Sequence, residues 1–215
     1  MEKKYKLLVD DTITVGNRTL YRIEALRDFA DVEKGDKGGY VESEDNLSHD
    51  GNCWVYGNAR VYGNACVSGN AWVYGNACVY GNARVSGNAR VSGNAWVYDN
   101  ARVSGDACVY DNALVCGNAL VCGNALVCGN ALVYGNAEVR STKDYVVLKN
   151  IWSSGRYFTY TRSNKMWKVG CFYGTGEELI KRAYQDSEVS GREYERVVRY
   201  VEAMYADLEK DNSKN

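Results

Sequence analysis

The chain has 215 residues, with 26 basic and 27 acidic side chains and a formal net charge of −1. This near-neutral balance gives no electrostatic basis for binding nucleic acid or an anionic membrane surface. No apolar run is long enough to span a bilayer, and residues 1–5 are not followed by the core of a signal peptide, so we expect a cytoplasmic protein without membrane association.

The N-terminal segment contains "TITVGNRTLYRI", two runs of alternating polarity on either side of Gly16-Asn17. Such runs around a Gly-Asn pair are typical of a β-hairpin. We assign residues 1–38 to a hairpin cap, which we expect to cover the exposed strand edges of the element that follows.

The central segment repeats a six-residue unit. Gly-Asn or a close relative recurs at this spacing from Gly51 to Gly135 without an insertion, and extending the frame backwards adds two degenerate hexads. The array then covers residues 39–140, or 17 hexads. Degenerate terminal repeats are typical of solenoid proteins.

Each hexad predicts one short strand and one corner. In the hexad 57–62, Ala59 and Val61 alternate with Arg60 and Tyr62, so alanine and valine point inward. Glycine, asparagine and aspartate tolerate positive φ, and their pairs therefore predict the corners, including Asp99-Asn100. Three strands and three corners form an 18-residue coil, in which side chains 18 positions apart stack on one another.

This pattern resembles the hexapeptide-repeat proteins, in which a small residue stands two positions before an aliphatic residue. The resemblance implies a left-handed parallel β-helix, and the handedness comes from the resemblance alone. The predicted fold class is therefore mainly β, a left-handed parallel β-helix with an N-terminal hairpin cap and a small C-terminal α+β unit.

The C-terminal segment, residues 141–215, predicts three strands in a meander followed by two helices. The strands are "YVVLKNIW", "RYFTYTRS" and "MWKVGCFY". Two capping boxes, Thr175 with Glu178 and Ser190 with Glu193, predict where the helices begin. The second helix carries an apolar stripe that needs a partner surface, formed by Tyr194, Val197, Val198, Val201, Met204, Tyr205 and Leu208.

The outward positions hold the candidate binding residues. Two faces of the solenoid are aromatic, and on one of them aromatic residues of consecutive coils lie beside an arginine, where a flat ligand with an anionic group would stack. These residues are Trp54, Tyr56, Trp72, Tyr74 and Arg90. A solvent-facing aromatic ladder or a subunit contact is the structural alternative. The alternative binding row on the polar face is Arg84, Ser86, Arg102 and Ser104.

No metal site or cofactor is predicted. The eight cysteines never stack on one another in the 18-residue register, so we expect reduced thiols, and none forms a Cys-x-x-Cys pair. Hexapeptide-repeat acyltransferases, which the array resembles, use a histidine base beside a loop that interrupts the coils. The chain has one histidine, His49, which the frame places in an inward valine slot of an uninterrupted array.

A second resemblance involves the flanking segments "LYRIEALRDF", "GDKGGYVESEDNLS" and "NKMWKVGCFYGTGEELI". With the array they are similar to a group of phage- and prophage-encoded hexapeptide-repeat proteins, some labelled as transferases. This implies an accessory protein of a mobile element in a bacterial host cell. We expect a non-enzymatic binding protein, an accessory or counter-defence factor, that engages a host protein or a small anionic or aromatic ligand. The alternative is an acyltransferase-like enzyme with His49 as base. Because a monomer would expose two aromatic faces, we also expect a homo-oligomer, a trimer or else a dimer.

Overall fold

The computed structural model describes residues 2–212, and within them the chain divides into two compact units. The first unit runs to Asn136 and includes Arg140–Thr142. The second comprises Ala137–Val139 and the described chain from Lys143 onward.

The repeats fold as three short strands per coil. Each strand holds the fourth and fifth residues of its hexad. The strands are Trp54–Val55 (β4), Arg60–Val61 (β5), Cys66–Val67 (β6), Trp72–Val73 (β7), Cys78–Val79 (β8), Arg84–Val85 (β9), Arg90–Val91 (β10), Trp96–Val97 (β11), Arg102–Val103 (β12), Cys108–Val109 (β13), Leu114–Val115 (β14), Leu120–Val121 (β15), Leu126–Val127 (β16), Leu132–Val133 (β17) and Glu138–Val139 (β18).

Strands 18 residues apart pair in parallel, which produces three sheets around one axis. One contains β5, β8, β11, β14 and β17, the second β4, β7, β10, β13 and β16, and the third β6, β9, β12 and β15. The backbone N–H of Arg60, for example, donates to the carbonyl of Ala77 at 2.9 Å, in the next coil. The predicted mainly β solenoid with 18-residue coils is therefore confirmed.

Corners and core follow the hexad pattern. From Gly51 to Gly135, the first residue of each hexad has positive φ, for example 69° at Gly87 and 56° at Asp99. The side-chain amide of Asn64 donates to Asn82 Oδ1 of the next coil at 3.0 Å. Inside, the valines from Val55 to Val139 are fully buried, and the alanines of the array are at most 1 % exposed. The predicted inward assignment is confirmed for the hexads from Gly51 onward.

The first coil departs from the predicted frame by two residues. Val41 pairs with Val61 and Leu47 with Val67, a spacing of 20 rather than 18 residues. The frame had placed His49 in the valine slot that Leu47 fills, so that prediction is wrong. Leu47 is favoured in this slot over His49, because an aliphatic side chain is buried there without needing a hydrogen-bond partner. The two additional residues lie in the corner between Leu47 and β4.

The hairpin cap extends the sheet of the first coil. Strand β1 (Tyr5–Val15) pairs antiparallel with β2 (Arg18–Ala25) around the Gly16-Asn17 turn, as predicted. Strand β2 pairs antiparallel with β3 (Lys37–Val41), and β3 in turn pairs in parallel with β5. A 3-10 helix, Glu44–Asn46, follows β3. The hairpin therefore covers the strand edge of this sheet at the first coil.

The second unit contains a four-stranded antiparallel sheet. Its strands are β19 (Tyr145–Lys149), β20 (Tyr157–Thr161), β21 (Met166–Val169) and β22 (Phe172–Gly174), paired in that order. The sequence pattern predicts three strands, with "MWKVGCFY" as one of them, and that number is wrong. Gly170 has a φ of 56° and splits that segment into a tight hairpin.

Two helices complete the second unit, α1 (Gly176–Asp186) and α2 (Glu188–Asn212). Thr175 and Glu178 form the predicted capping box of α1. The second predicted box is wrong: Ser190 lies inside α2, and its N–H donates to Ser187 Oγ at 3.1 Å. Neither helix within residues 2–212 combines the length and apolarity needed to cross a bilayer.

The apolar stripe of α2 finds its partner in the core of the second unit. Tyr194, Val198, Val201 and Tyr205 are buried there together with Phe158, Trp167 and Leu179, while Val197, Met204 and Leu208 pack against them in half-buried positions. The stripe predicted from the sequence is confirmed.

Candidate functional site

A shallow depression lies on the second face of the solenoid, near its N-terminal end. It has a volume of about 460 Å³ and is lined by Asp31, Tyr56, Trp72, Tyr74 and Arg90. Four of these five residues belong to the binding set that the sequence predicted. The depression belongs entirely to the first unit.

The repeat period brings the four residues together. Trp72 of β7 and Arg90 of β10 occupy the same outward slot in consecutive coils and pair directly in register. Tyr56 and Tyr74 each follow an inward valine at the corner of the same face. Because all four sit on hydrogen-bonded coils with a fully buried core, their spacing is held by the backbone.

The aromatic rings and the guanidinium contact one another. The Tyr56 and Trp72 rings meet edge to face, with 5.6 Å between centroids. Arg90 Cζ lies 5.4 Å from the Trp72 ring centroid, and such a contact contributes about 0.5–1 kcal/mol at an exposed site. Arg90 and Tyr74 are exposed, whereas Trp72 and Tyr56 are half-buried. The site therefore offers aromatic surface next to an accessible cation.

Carboxylates influence the tyrosine at the edge of the depression. Burial raises the pKa of Tyr56, and the nearby Asp31 and Asp36 carboxylates raise it further. Tyr56 consequently remains a neutral hydroxyl that donates and accepts hydrogen bonds at physiological pH. Asp31 is exposed and supplies an acceptor on the rim.

Trp54 does not belong to the accessible site. It pairs with Trp72 in register, but only 1 % of its surface is exposed. The Phe29 ring lies edge-on at 5.3 Å and the Tyr5 ring at 6.1 Å. The prediction that Trp54 lines the ligand surface is therefore wrong, because the loop between β2 and β3 packs over it.

The same loop supplies the residue that sequence reasoning missed. Phe29 and Val32 form an isolated bridge within the loop, and both are buried. Asp31 lies between them on the exposed side. The hexad pattern does not include this loop, so it could not predict that Asp31 lines the site. The signal in the sequence is the pair of apolar residues on either side of Asp31, which indicates that the loop packs against the protein.

The alternative row on the third face keeps its predicted register. Arg84 and Arg102 pair directly and are exposed, and Ser86 and Ser104 are half-buried. Like charges directly opposite on adjacent strands repel, which opposes close approach of the two guanidinium groups unless an anion lies between them. Its role in binding stays a prediction.

His49 lies against the hairpin cap, with its side chain 20 % exposed. Its ring stacks on Tyr5 with 4.4 Å between centroids. Nδ1 accepts the backbone N–H of Lys4 at 3.2 Å, and Nε2 lies 3.5 Å from a Glu44 carboxylate oxygen. With Nδ1 accepting, the neutral ring carries its proton on Nε2, so neither nitrogen offers a free lone pair to a substrate.

The cysteines are dispersed over the fold. All eight are free, and Cys171 is the exposed one among them. Within residues 2–212, no group of three or more histidine, cysteine or acidic side chains is arranged to hold a metal ion. In the strand pairs of the described chain, cysteines face other residue types, as predicted: Cys78 pairs with Trp96 and Cys108 with Leu126.

Comparison with known proteins relates the repeats to one β-solenoid type. Five overlapping or neighbouring stretches match the family described as "YdcK Beta solenoid repeat": residues 55–69, 59–75, 77–93, 83–99 and 95–111. A 43-residue segment is 44 % identical to "Uncharacterized acetyltransferase YdcK" of Escherichia coli (strain K12). The match covers 20 % of this chain and 13 % of that relative. The chain is therefore a β-solenoid repeat protein.

Proposed function

We propose that this chain is a non-enzymatic binding protein that holds a flat ligand with an anionic substituent in the depression of Asp31, Tyr56, Trp72, Tyr74 and Arg90. The observation that carries the proposal is the convergence of three aromatic rings, one exposed guanidinium and one carboxylate on a single rigid face. Stacking on such rings contributes about 1–3 kcal/mol per base.

The polar groups define what the ligand must carry. Within residues 2–212, no carboxylate lies within 4.0 Å of the Arg90 guanidinium, which therefore keeps its donors for an incoming phosphate or carboxylate. Asp31, which also lines the depression, accepts from an amino or hydroxyl group. A mononucleotide combines a flat ring, such donors and an anion, so nucleotides and coenzymes are the ligand class we propose.

Tryptophan fluorescence tests this proposal in the full chain. Titration with a panel of mononucleotides and coenzyme A is expected to quench emission, and Trp72→Ala or Arg90→Ala to weaken binding by about tenfold or more. Matched controls are Trp96→Ala and Arg102→Ala, which remove the same side-chain types from the other two faces.

Two results would count against the proposal. One is that no member of the panel binds, and the other is that the control variants weaken binding as much as the site variants. If Arg102→Ala is the control that weakens binding, the Arg84 and Arg102 row becomes the better candidate. Circular dichroism of each variant checks that the solenoid remains folded.

An acyltransferase is the second candidate, favoured by the name of the Escherichia coli relative. Its base would be His49, whose Nδ1 is already engaged by the Lys4 backbone. Incubation with acetyl coenzyme A and small amine acceptors, with release of the coenzyme thiol as the readout, distinguishes the two functions. We expect no turnover; turnover that His49→Gln abolishes would establish the enzyme instead.

We also propose the biological setting and assembly. The flanking segments support an accessory or counter-defence protein of a phage or prophage in the bacterial cytoplasm, which engages a host molecule. The exposed Trp96 and Leu126, at 46 % and 40 %, support a homo-oligomer, a trimer or a dimer, that covers them. Light scattering at micromolar concentration checks the assembly: the mass of a single chain would contradict it.

A further inference from the structure

A second cavity lies within the C-terminal unit, between the turn that joins β21 to β22 and one face of α1. Its volume is about 560 Å³. Phe172 and Leu179 provide apolar wall, and Tyr194 of α2 closes one side. Two arginines, Arg156 and Arg182, line it from different elements.

The position of Arg156 depends on the tight turn. A β-carbon built on Gly170 would lie 3.5 Å from Arg156 Cδ and 3.9 Å from Cζ, so the arginine side chain lies across the glycine. Gly170 also has a φ of 56°, which side-chain-bearing residues rarely adopt. The turn thereby leaves room for a guanidinium at the edge of the cavity.

The two cavity arginines differ from Arg196 and Arg199 of the same unit in having no acidic partner. Arg196 pairs with Glu193 at 2.8 Å, and Arg199 pairs with Glu177. Within the described chain, by contrast, no carboxylate oxygen lies within 4.0 Å of Arg156 or Arg182, although Asp186 stands on the same cavity wall. Two unpaired guanidinium groups beside this apolar wall constitute a positive site with unused hydrogen-bond donors.

We propose that this cavity is a second binding site, which takes a small oxyanion, a phosphate ester or a carboxylate, carried on an apolar or aromatic body. The anionic group meets Arg156 and Arg182, while the body packs on Phe172 and Tyr194. The site is independent of the aromatic depression on the solenoid, since all its residues belong to the second unit.

Cys171 provides a reporter at this site, because it lines the cavity and is the exposed cysteine. Its rates of alkylation by anionic iodoacetate and neutral iodoacetamide are measured in the full chain by peptide mass spectrometry. Their ratio, compared with that of a free thiol peptide, reports the local positive potential. We expect Arg156→Gln and Arg182→Gln each to lower this ratio about two- to fivefold.

The matched control is Arg192→Gln, which removes an exposed arginine of α2 that does not line the cavity. Asp186→Asn removes the negative charge from the wall and should raise the ratio. If the two cavity variants leave the ratio at the control value, the guanidinium groups do not act at this site and the proposal is wrong.

Phenyl phosphate, benzoate and inorganic phosphate are the binding probes. Phenyl phosphate or benzoate is expected to protect Cys171 from iodoacetamide, with about tenfold weaker protection in Arg156→Gln or Arg182→Gln. Whichever of phenyl phosphate and benzoate protects more strongly identifies the class of anion. Weaker protection by inorganic phosphate than by phenyl phosphate shows the contribution of the apolar wall. If none of the probes protects Cys171, or if protection survives both substitutions, the proposed site is refuted.

Discussion

The two units of this protein build their cores by opposite means. In the solenoid, buried alanine and valine recur in equivalent slots, and Val91 has the same surroundings as Val73 and Val109 on either side. In the C-terminal unit, the core consists of different large side chains, among them Phe158, Trp167 and Tyr205, each used once.

The two units differ in how the sequence specifies the packing of the core. A repeat contacts only its neighbours, so one rule, satisfied many times, is enough to define the solenoid. The C-terminal core depends on complementary shapes from four strands and two helices, and no rule of spacing supplies those shapes. Substitutions in the two units test this contrast.

The largest effect is expected from Val91→Asp. It places an unpaired carboxylate in the middle of the fully buried valine row, and we expect the free energy of unfolding to fall by more than about 4 kcal/mol. Urea denaturation followed by circular dichroism measures it. Arg84→Asp, at an exposed outward position, should change stability by less than about 0.5 kcal/mol. Similar losses for the two variants would overturn the inward assignment.

Trp167→Ala removes the largest buried side chain of the second core. We expect a loss of about 3–5 kcal/mol, because the surrounding aromatic rings relax only partly into the space. Hydrogen exchange should increase across residues 143–212 while residues 55–136 remain protected. Equal loss of protection in both segments would show that the two cores are not separate.

Alanine substitutions at two corner glycines distinguish the energetic cost of backbone strain from the cost of close packing. Gly87→Ala puts a β-carbon 2.9 Å from the backbone nitrogen of Gly105, whereas Gly129→Ala meets nothing within 4 Å, although both residues have similar positive φ. We expect Gly129→Ala to cost about 1 kcal/mol and Gly87→Ala about 2–3 kcal/mol. Thermal denaturation of the pair measures the difference, and equal costs would remove close packing as a cause.

A third corner variant sharpens this result. Asp99 occupies the same kind of corner, and its carboxylate accepts the N–H of Gly117 in the next coil at 3.1 Å. Gly87→Asp should therefore be more stable than Gly87→Ala, because the new carboxylate gains the equivalent bond from Gly105. If aspartate destabilises the protein more than alanine, this hydrogen bond does not offset the crowding.

The smallest effect is expected at the helix caps. Thr175 Oγ1 accepts the N–H of Glu178 at 3.3 Å, so Thr175→Ala should cost about 1 kcal/mol. Ser190→Ala serves as its control: Ser190 lies inside α2, and alanine is there a better helix former. Urea denaturation compares the two, and a larger loss for Ser190→Ala would restore the capping role that the sequence predicted.

The sequence alone determined the solenoid, its inward rows and the neighbours along each face. A constant period and the parallel pairing of strands specify which residues are 18 positions apart, so Trp72 and Arg90 had to be adjacent once the coil formed. The 18-residue spacing also brings together four residues of the candidate site, and it distributes the six outward cysteines of the array over the three faces.

Only the tertiary structure decided what happens where the repeat meets other chain segments. Trp54 and Trp72 occupy equivalent slots, yet Trp54 is buried because the loop of Phe29 packs on it, and the same loop brings Asp31 to the rim. Likewise, Leu47 displaced His49 from its predicted slot because the first coil is free to shift its register at the end of the array. Local periodicity constrains residues with identical neighbours, whereas at the ends of a solenoid non-repeating contacts decide the packing.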